Sequence, residues 1–209
     1  MLRELFHGRL LDVPGIAGPS APVRPAPASD YDLTPHIHAG LPPDRVLRQA
    51  AVLVPVIDRP HGATVLLTQR ADHLSSHAGQ VAFPGGRVDD SDAGPVDTAL
   101  RETWEEVGLE RSFVEVIGAL DTYETGTGFS ITPIVGLVRP GFTLTLQVDE
   151  VALVFEVPLD FFLDPANHQR ESREWRGAMR HYYVMPYDGH HIWGATAGML
   201  VNLYNKLKG

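Results

Sequence analysis

There is no cysteine in this chain. That excludes disulfides, a thiolate nucleophile and a thiolate zinc site. Lysine is nearly absent too: the 17 basic residues are 15 Arg and 2 Lys. Set against 26 acidic residues they leave a net charge of -9, which argues against nonspecific binding to nucleic acid. No apolar run reaches the roughly 18 residues that a membrane span requires. The opening MLRELFHGRLLDVPG lacks the apolar core of a signal peptide. The expectation is a cytoplasmic protein with neither nucleic acid nor membrane as partner. Its 209 residues, 44% hydrophobic, suffice for one well-packed domain with small appendages.

Proline is unevenly spread: 8 of the 17 fall between Val13 and Pro43. Residues 1–12 read as a short amphipathic helix and 13–43 as a Pro-rich surface arm, so 1–43 is set apart from a main domain over 44–209. In the main domain Ala50–Ile57, Ala63–Thr68, Gln80–Phe83, Phe113–Leu120, Ser130–Val138, Phe142–Val148 and Ala152–Val157 read as strands. Pro55 cannot donate to a ladder, so its strand is expected to have a free edge or a bulge there. Trp175–Met185 reads as a hairpin and Ile192–Leu207 as a closing amphipathic helix. The order predicts an α/β (α+β) fold, a mixed sheet between helices.

The centre of the chain is FPGGRVDDSDAGPVDTALRETWEEVGL, Phe83–Leu109. Pro95 suits a first helical turn and Gly108 a left-handed position after the last. Between them Val96, Ala99, Leu100, Thr103 and Val107 make one largely apolar face. Glu102, Glu105 and Glu106 share an arc of about 100° beside it. Like charges at that spacing repel by about 0.2–0.5 kcal/mol per pair, and acids late in a helix oppose its dipole. Either the arc is a solvated acidic face or a divalent cation reverses both terms. Gly85 and Gly86, just upstream, let the backbone approach a ligand closely. Hard cations such as Mg²⁺ take oxygen ligands and bridge to phosphates.

These residues carry a resemblance. Arg101-Glu102-Thr103-Trp104-Glu105-Glu106-Val107-Gly108-Leu109 resembles the second half of the Nudix box, with Thr103 in place of an aliphatic. In the first half, counted from Gly86, Asp92 falls where the box has a glutamate, and the spacer to Arg101 is one residue longer than the general pattern. Upstream, Leu66-Leu67-Thr68-Gln69-Arg70-Ala71, then Gly79 and Phe83-Pro84-Gly85-Gly86, resemble the extra motif of the coenzyme A pyrophosphatase branch, with Ser75 where that motif has an arginine. Pro186–Leu203 is similar to the same branch.

The resemblance implies a Nudix-like α/β/α sandwich with a mixed β-sheet and a metal-dependent attack of water on a P–O–P link. Gly85 (through its carbonyl), Glu105 and Glu106 would be metal ligands, and Glu102 a ligand or the base. Arg101 would orient the glutamates. A further carboxylate from a later loop is expected, Glu150 first and Glu124 second. Arg70, Gly79, Phe83 and Gly86 would bound the substrate. Trp104 and Trp193, like Phe83, are read as core residues, and His73 and His77 as loop residues.

The implied metal is Mg²⁺ or Mn²⁺. The implied small-molecule substrate is coenzyme A or its thioesters, cut to adenosine 3',5'-bisphosphate and 4'-phosphopantetheine. The alternatives are another nucleoside diphosphate derivative, such as a dinucleotide or nucleotide sugar, and a non-catalytic nucleotide sensor. Oligomeric state stays open between monomer and homodimer.

Overall fold

The computed structural model describes residues 2–13, 28–39, 45–175 and 177–208. Its centre is strand β2 (Arg48–Ile57), reached after a helix α1 (Leu2–Phe6), a two-residue strand β1 (Ala28–Ser29) and a helix α2 (Pro35–Ala39). Then follow β3 (Thr64–Arg70), β4 (Val81–Ala82), β5 (Gly85–Arg87) and helix α3 (Pro95–Val107). Beyond α3 come β6 (Val114–Ala119), β7 (Tyr123–Glu124), β8 (Phe129–Val138), β9 (Val151–Pro158) and α4 (Leu159–Phe162). The chain closes with β10 (Gln169–Trp175), β11 (Ala178–Tyr187), β12 (His190–Trp193) and α5 (Gly194–Lys208).

β2 runs parallel to β8 along its whole length and antiparallel to β3 and β5 on its other side. β9 extends the sheet beyond β3, and β6 and β7 extend it beyond β8. Strand residues alternate between faces, so β2 feeds two cores. Val52, Val54 and Val56, with Val65 and Leu67 of β3, pack under Leu200 and Leu203 of α5 and Phe162 of α4. Ala51, Leu53 and Ile57, with Leu66, pack against Ala99, Leu100 and Val107 of α3. Full burial of each such large side chain is worth about 1.5–3 kcal/mol. A mixed sheet with helices on both faces is the predicted architecture. β10, β11 and β12 form a separate three-stranded antiparallel sheet.

Pro55 falls where the strand edge has no ladder partner: β5 pairs with Ala50–Val52 and β3 only with Val56 and Ile57. The helix expected over 1–12 is shorter, ending at Phe6. Phe6 and Leu10 are buried in the α5-side core, and Ala28–Ser29 pairs in parallel with β7. The stretches of the arm at 14–27 and 40–43, and residue 44 after it, lie outside the described residues.

Two expectations are corrected. Phe142–Val148 is not a strand: Thr145 and Gln147 donate their backbone N–H groups to the Val107 and Glu106 carbonyls, both at 2.9 Å. The orphan carbonyls at the end of α3 thus take the donors that a ladder would have used. Trp104 is not core but 58% exposed, because it projects one residue past Thr103, off the buried face of α3.

Candidate active site

α3 begins with Pro95 at its first position and ends on Gly108 in the left-handed conformation (φ 69°), whose N–H binds the Trp104 carbonyl at 2.8 Å. Ala99, Leu100, Thr103 and Val107 are buried, as their spacing predicts. Thr103, in the box's aliphatic position, satisfies its hydroxyl within the helix on the Ala99 carbonyl at 2.6 Å.

Packing that face onto the sheet turns Glu106 inward, leaving it 5% exposed, while Glu102 is half-buried and Glu105 exposed. The Gly85 N–H donates to Glu106 Oε2 at 3.1 Å. The Arg70 guanidinium stands 4.0 Å from Glu106 Oε1. Burial pushes the Glu106 carboxyl up to about 7, and the charges of Glu102 and Glu150 push the same way against the Gly85 N–H and Arg70. The Glu102 carboxyl is also raised, by burial first, then by Glu105 and Glu150, against Arg101.

Arg101 organises the outer side of this group. Its Nε and Nη2 donate to the two oxygens of Asp92 at 2.8 and 2.9 Å. Its Nη1 donates to Glu102 and Glu105, each at 2.9 Å. The Asp92 side chain is 2% exposed and also accepts from the Thr98 hydroxyl. The Arg101 guanidinium holds the Asp92 carboxyl well below the usual carboxylate range. The longer spacer between Asp92 and Arg101 thus still allows the two to pair.

The glycines serve two purposes. A Cβ on Gly85 would lie 2.4 Å from the Ala51 carbonyl oxygen, at a φ of 152°. A Cβ on Gly86 would lie 2.4–2.7 Å from the Glu102 carboxylate. Both belong to strand β5, Gly85–Arg87, paired to β2.

Glu150 is exposed, at the end of the segment held by α3, and its charge acts on Glu102 and Glu106 from there. Its N–H binds the Gln147 carbonyl, and its own carbonyl accepts from Ala71 at the end of β3, both at 2.9 Å. Glu124 does not turn to the group; it is buried and ion-paired with Arg45.

The group borders a cleft of about 410 Å³ whose walls include Arg70, Phe83, Gly85, Gly86, Arg87, Phe129, Arg180 and Trp193. His77 also lines it, while Ser75 is exposed and does not. Gly79 is not in the wall either; its N–H binds the Arg70 carbonyl at 3.2 Å. Phe83, read as core, is buried yet also lines the cleft, and Trp193 is half-buried in its wall.

Three cleft features escaped the sequence reading. Arg87 follows the glycines directly and was within reach of it. Arg180, in β11, and its partner Asp30 had no local signal. Asp30 pairs with Arg180 at 2.6 Å and accepts from the Tyr123 hydroxyl and the Gly126 N–H.

The residues fit a divalent cation by their chemistry: neighbouring carboxylates with raised affinity for protons are relieved by a positive charge, and their oxygens suit a hard ion. Among the described residues no three acids or histidines are gathered closely enough to hold one unaided. Glu105, held by Arg101, is turned to solvent.

The comparisons name the class of protein to which this sheet, helix and carboxylate group belong, that of the pyrophosphate-cleaving hydrolases. The model of the NUDIX domain matches residues 47–186. The chain belongs to the Nudix family, whose hydrolases generally use divalent metal ions. It is 45% identical over 156 residues to the uncharacterized Nudix hydrolase NudL of Escherichia coli K12, covering 75% of this chain and 81% of that one. The NudL of Shigella boydii serotype 18 matches to the same extent. Among solved structures, a MutT/nudix family protein from Enterococcus faecalis is 17% identical, with a TM-score of 0.48 over 84% of this chain and 68% of that one. A C. elegans Ap4A hydrolase is 20% identical, with a TM-score of 0.47 over 53% and 80%.

Proposed function

We propose that this Nudix hydrolase cleaves the diphosphate of coenzyme A or its thioesters, with Mg²⁺ or Mn²⁺, to adenosine 3',5'-bisphosphate and 4'-phosphopantetheine. The observation that carries the reading is the joining of two sequence features at one cleft. The upstream motif contributes Arg70, Phe83, Gly85 and Gly86 to the walls, and the box contributes Glu102 and Glu106 beside them. Arg70 and Arg87 suit phosphate oxygens, because guanidinium donors match them in pairs. The half-buried faces of Phe129 and Trp193 suit a base or the apolar part of a pantetheine arm.

Glu102 and Glu106 would hold the metal, with the Gly85 carbonyl and Glu150 as further oxygen donors and Glu105 joining them only by turning away from Arg101. The ion, when bound, activates water and neutralises charge on the pyrophosphate. Burial raises the Glu106 carboxyl to about 7 in the metal-free protein, so the ion would displace its proton and bind more tightly as pH rises through neutrality. Arg101 positions Glu102 and Glu105 through its Nη1.

Mass spectrometry of the products from coenzyme A, acyl-coenzyme A, NADH and ADP-ribose with Mg²⁺ tests this. Adenosine 3',5'-bisphosphate and 4'-phosphopantetheine are the expected products. Intact coenzyme A beside cleaved ADP-ribose would move the protein to the dinucleotide and nucleotide-sugar reading, which the departure at Ser75 favours.

A further inference from the structure

Strand β10 is an edge. It pairs with β11 from Gln169↔Val184 to Trp175↔Ala178, and among the described residues no strand lies on its other side. Gln169 to Glu174 are exposed and only Trp175 is partly covered. A seven-residue open edge is a template for another strand, and edges are usually blunted by shortness, charged side chains, proline or bulges. β10 contains no proline or glycine and its ladder has no bulge. What it has is a charge order: Gln169-Arg170-Glu171-Ser172-Arg173-Glu174-Trp175.

That order is complementary to its own reverse. Laid antiparallel with Ser172 opposite the second copy's Ser172, Arg170 faces the second copy's Glu174, and Glu171 faces the second copy's Arg173. By symmetry all four charged residues meet the opposite sign, on both faces of the sheet because neighbours alternate. A slip of one residue is penalised in either direction. One slip sets Arg170 against the second copy's Arg173, the other Glu171 against the second copy's Glu174, and symmetry repeats each clash. Directly opposed like charges destabilise paired strands. The geometry points to a two-fold dimer of this chain through β10, joining two three-stranded sheets into one of six. Each copy presents the same patch, as a two-fold interface requires.

Sedimentation velocity on the full chain at micromolar concentration tests this, with a species near twice the 22.9 kDa chain mass expected. Arg173→Glu places a glutamate against the second copy's Glu171 at two symmetric positions. It should weaken the dimer about tenfold or more. Adding Glu171→Arg exchanges the charges and should restore it. Because the chain has no cysteine, Ser172→Cys supplies a single thiol that should cross-link two copies under mild oxidation. A monomer at all concentrations, a dimer indifferent to Arg173→Glu, a charge exchange that fails to restore association, or absence of the cross-link would each overturn the proposal.

Discussion

Asp92 and Arg101 form a two-pronged ion pair, Nε to Oδ1 at 2.8 Å and Nη2 to Oδ2 at 2.9 Å, across the loop that precedes α3. The same guanidinium holds Glu102 and Glu105 through its remaining nitrogen. Asp92 therefore fixes the direction from which Arg101 reaches the glutamates. Asp92→Asn keeps the shape and removes the charge. It should weaken Mn²⁺ binding by about 10–100-fold, as loss of a ligand's supporting partner typically does. Calorimetric titration with Mn²⁺ reads this, and an unchanged affinity would separate the pair from the metal group.

Glu106 sets a pH dependence in the metal-free protein. Its carboxyl is raised from 4.5 to about 7 in the fold. Below about pH 4.5 it is neutral in both folded and unfolded chains, so its burial is unopposed. Between 4.5 and 7 the unfolded chain ionises first, and stability falls as pH rises. Above 7 the loss is complete, of order 3 kcal/mol. Glu106→Gln should therefore melt several degrees higher than wild type at pH 8 in chelator, and about equally at pH 4.5. The same variant should abolish turnover. Thermal melts at the two pH values are the check.

The two glycines should respond differently to alanine. Gly85→Ala meets the β2 backbone and a strained φ, and should cost about 2–4 kcal/mol of stability. Gly86→Ala meets only the movable Glu102 carboxylate. It should leave the melting temperature nearly unchanged while lowering turnover about 100-fold, because displacing a reacting group by about 1 Å has that effect. Equal stability losses in the two variants would argue against the distinction.

Arg70 faces the cleft from the end of β3 and is 29% exposed. If it grips a phosphate, Arg70→Gln should raise KM about 10–100-fold, the worth of a charged hydrogen bond. Steady-state kinetics on the substrate identified by mass spectrometry measure it.

Glu150→Gln and Glu124→Gln divide the two later carboxylates. Glu150 acts electrostatically on both Glu102 and Glu106, so its change should lower kcat at least about tenfold. Glu124 is paired with Arg45 away from the group, so its change should lower stability and spare kcat. The reverse pattern in a paired kinetic and melting experiment would restore Glu124 to the reaction.

The sequence by itself determined what is local. Pro95, Gly108 and the spacing of the apolar residues fix α3, and a helix of that phase puts Glu102, Glu105 and Glu106 on one arc. The order of apolar runs and helices indicated the mixed sheet between helices, and the box indicated the family. Tertiary structure decided the rest, because it depends on which distant groups compete for a partner. Arg101 holds Glu105 outward and leaves Glu106 to Gly85. The carbonyls at the end of α3 capture Thr145 and Gln147 of the 142–148 segment, and Arg45 holds Glu124 away from the glutamates. Trp104 stays in solvent because the sheet covers only one side of its helix. Arg180 enters the cleft because Asp30, 150 residues earlier, draws it there. No periodicity records such pairings, since each is chosen by the fold after the helices and strands have formed.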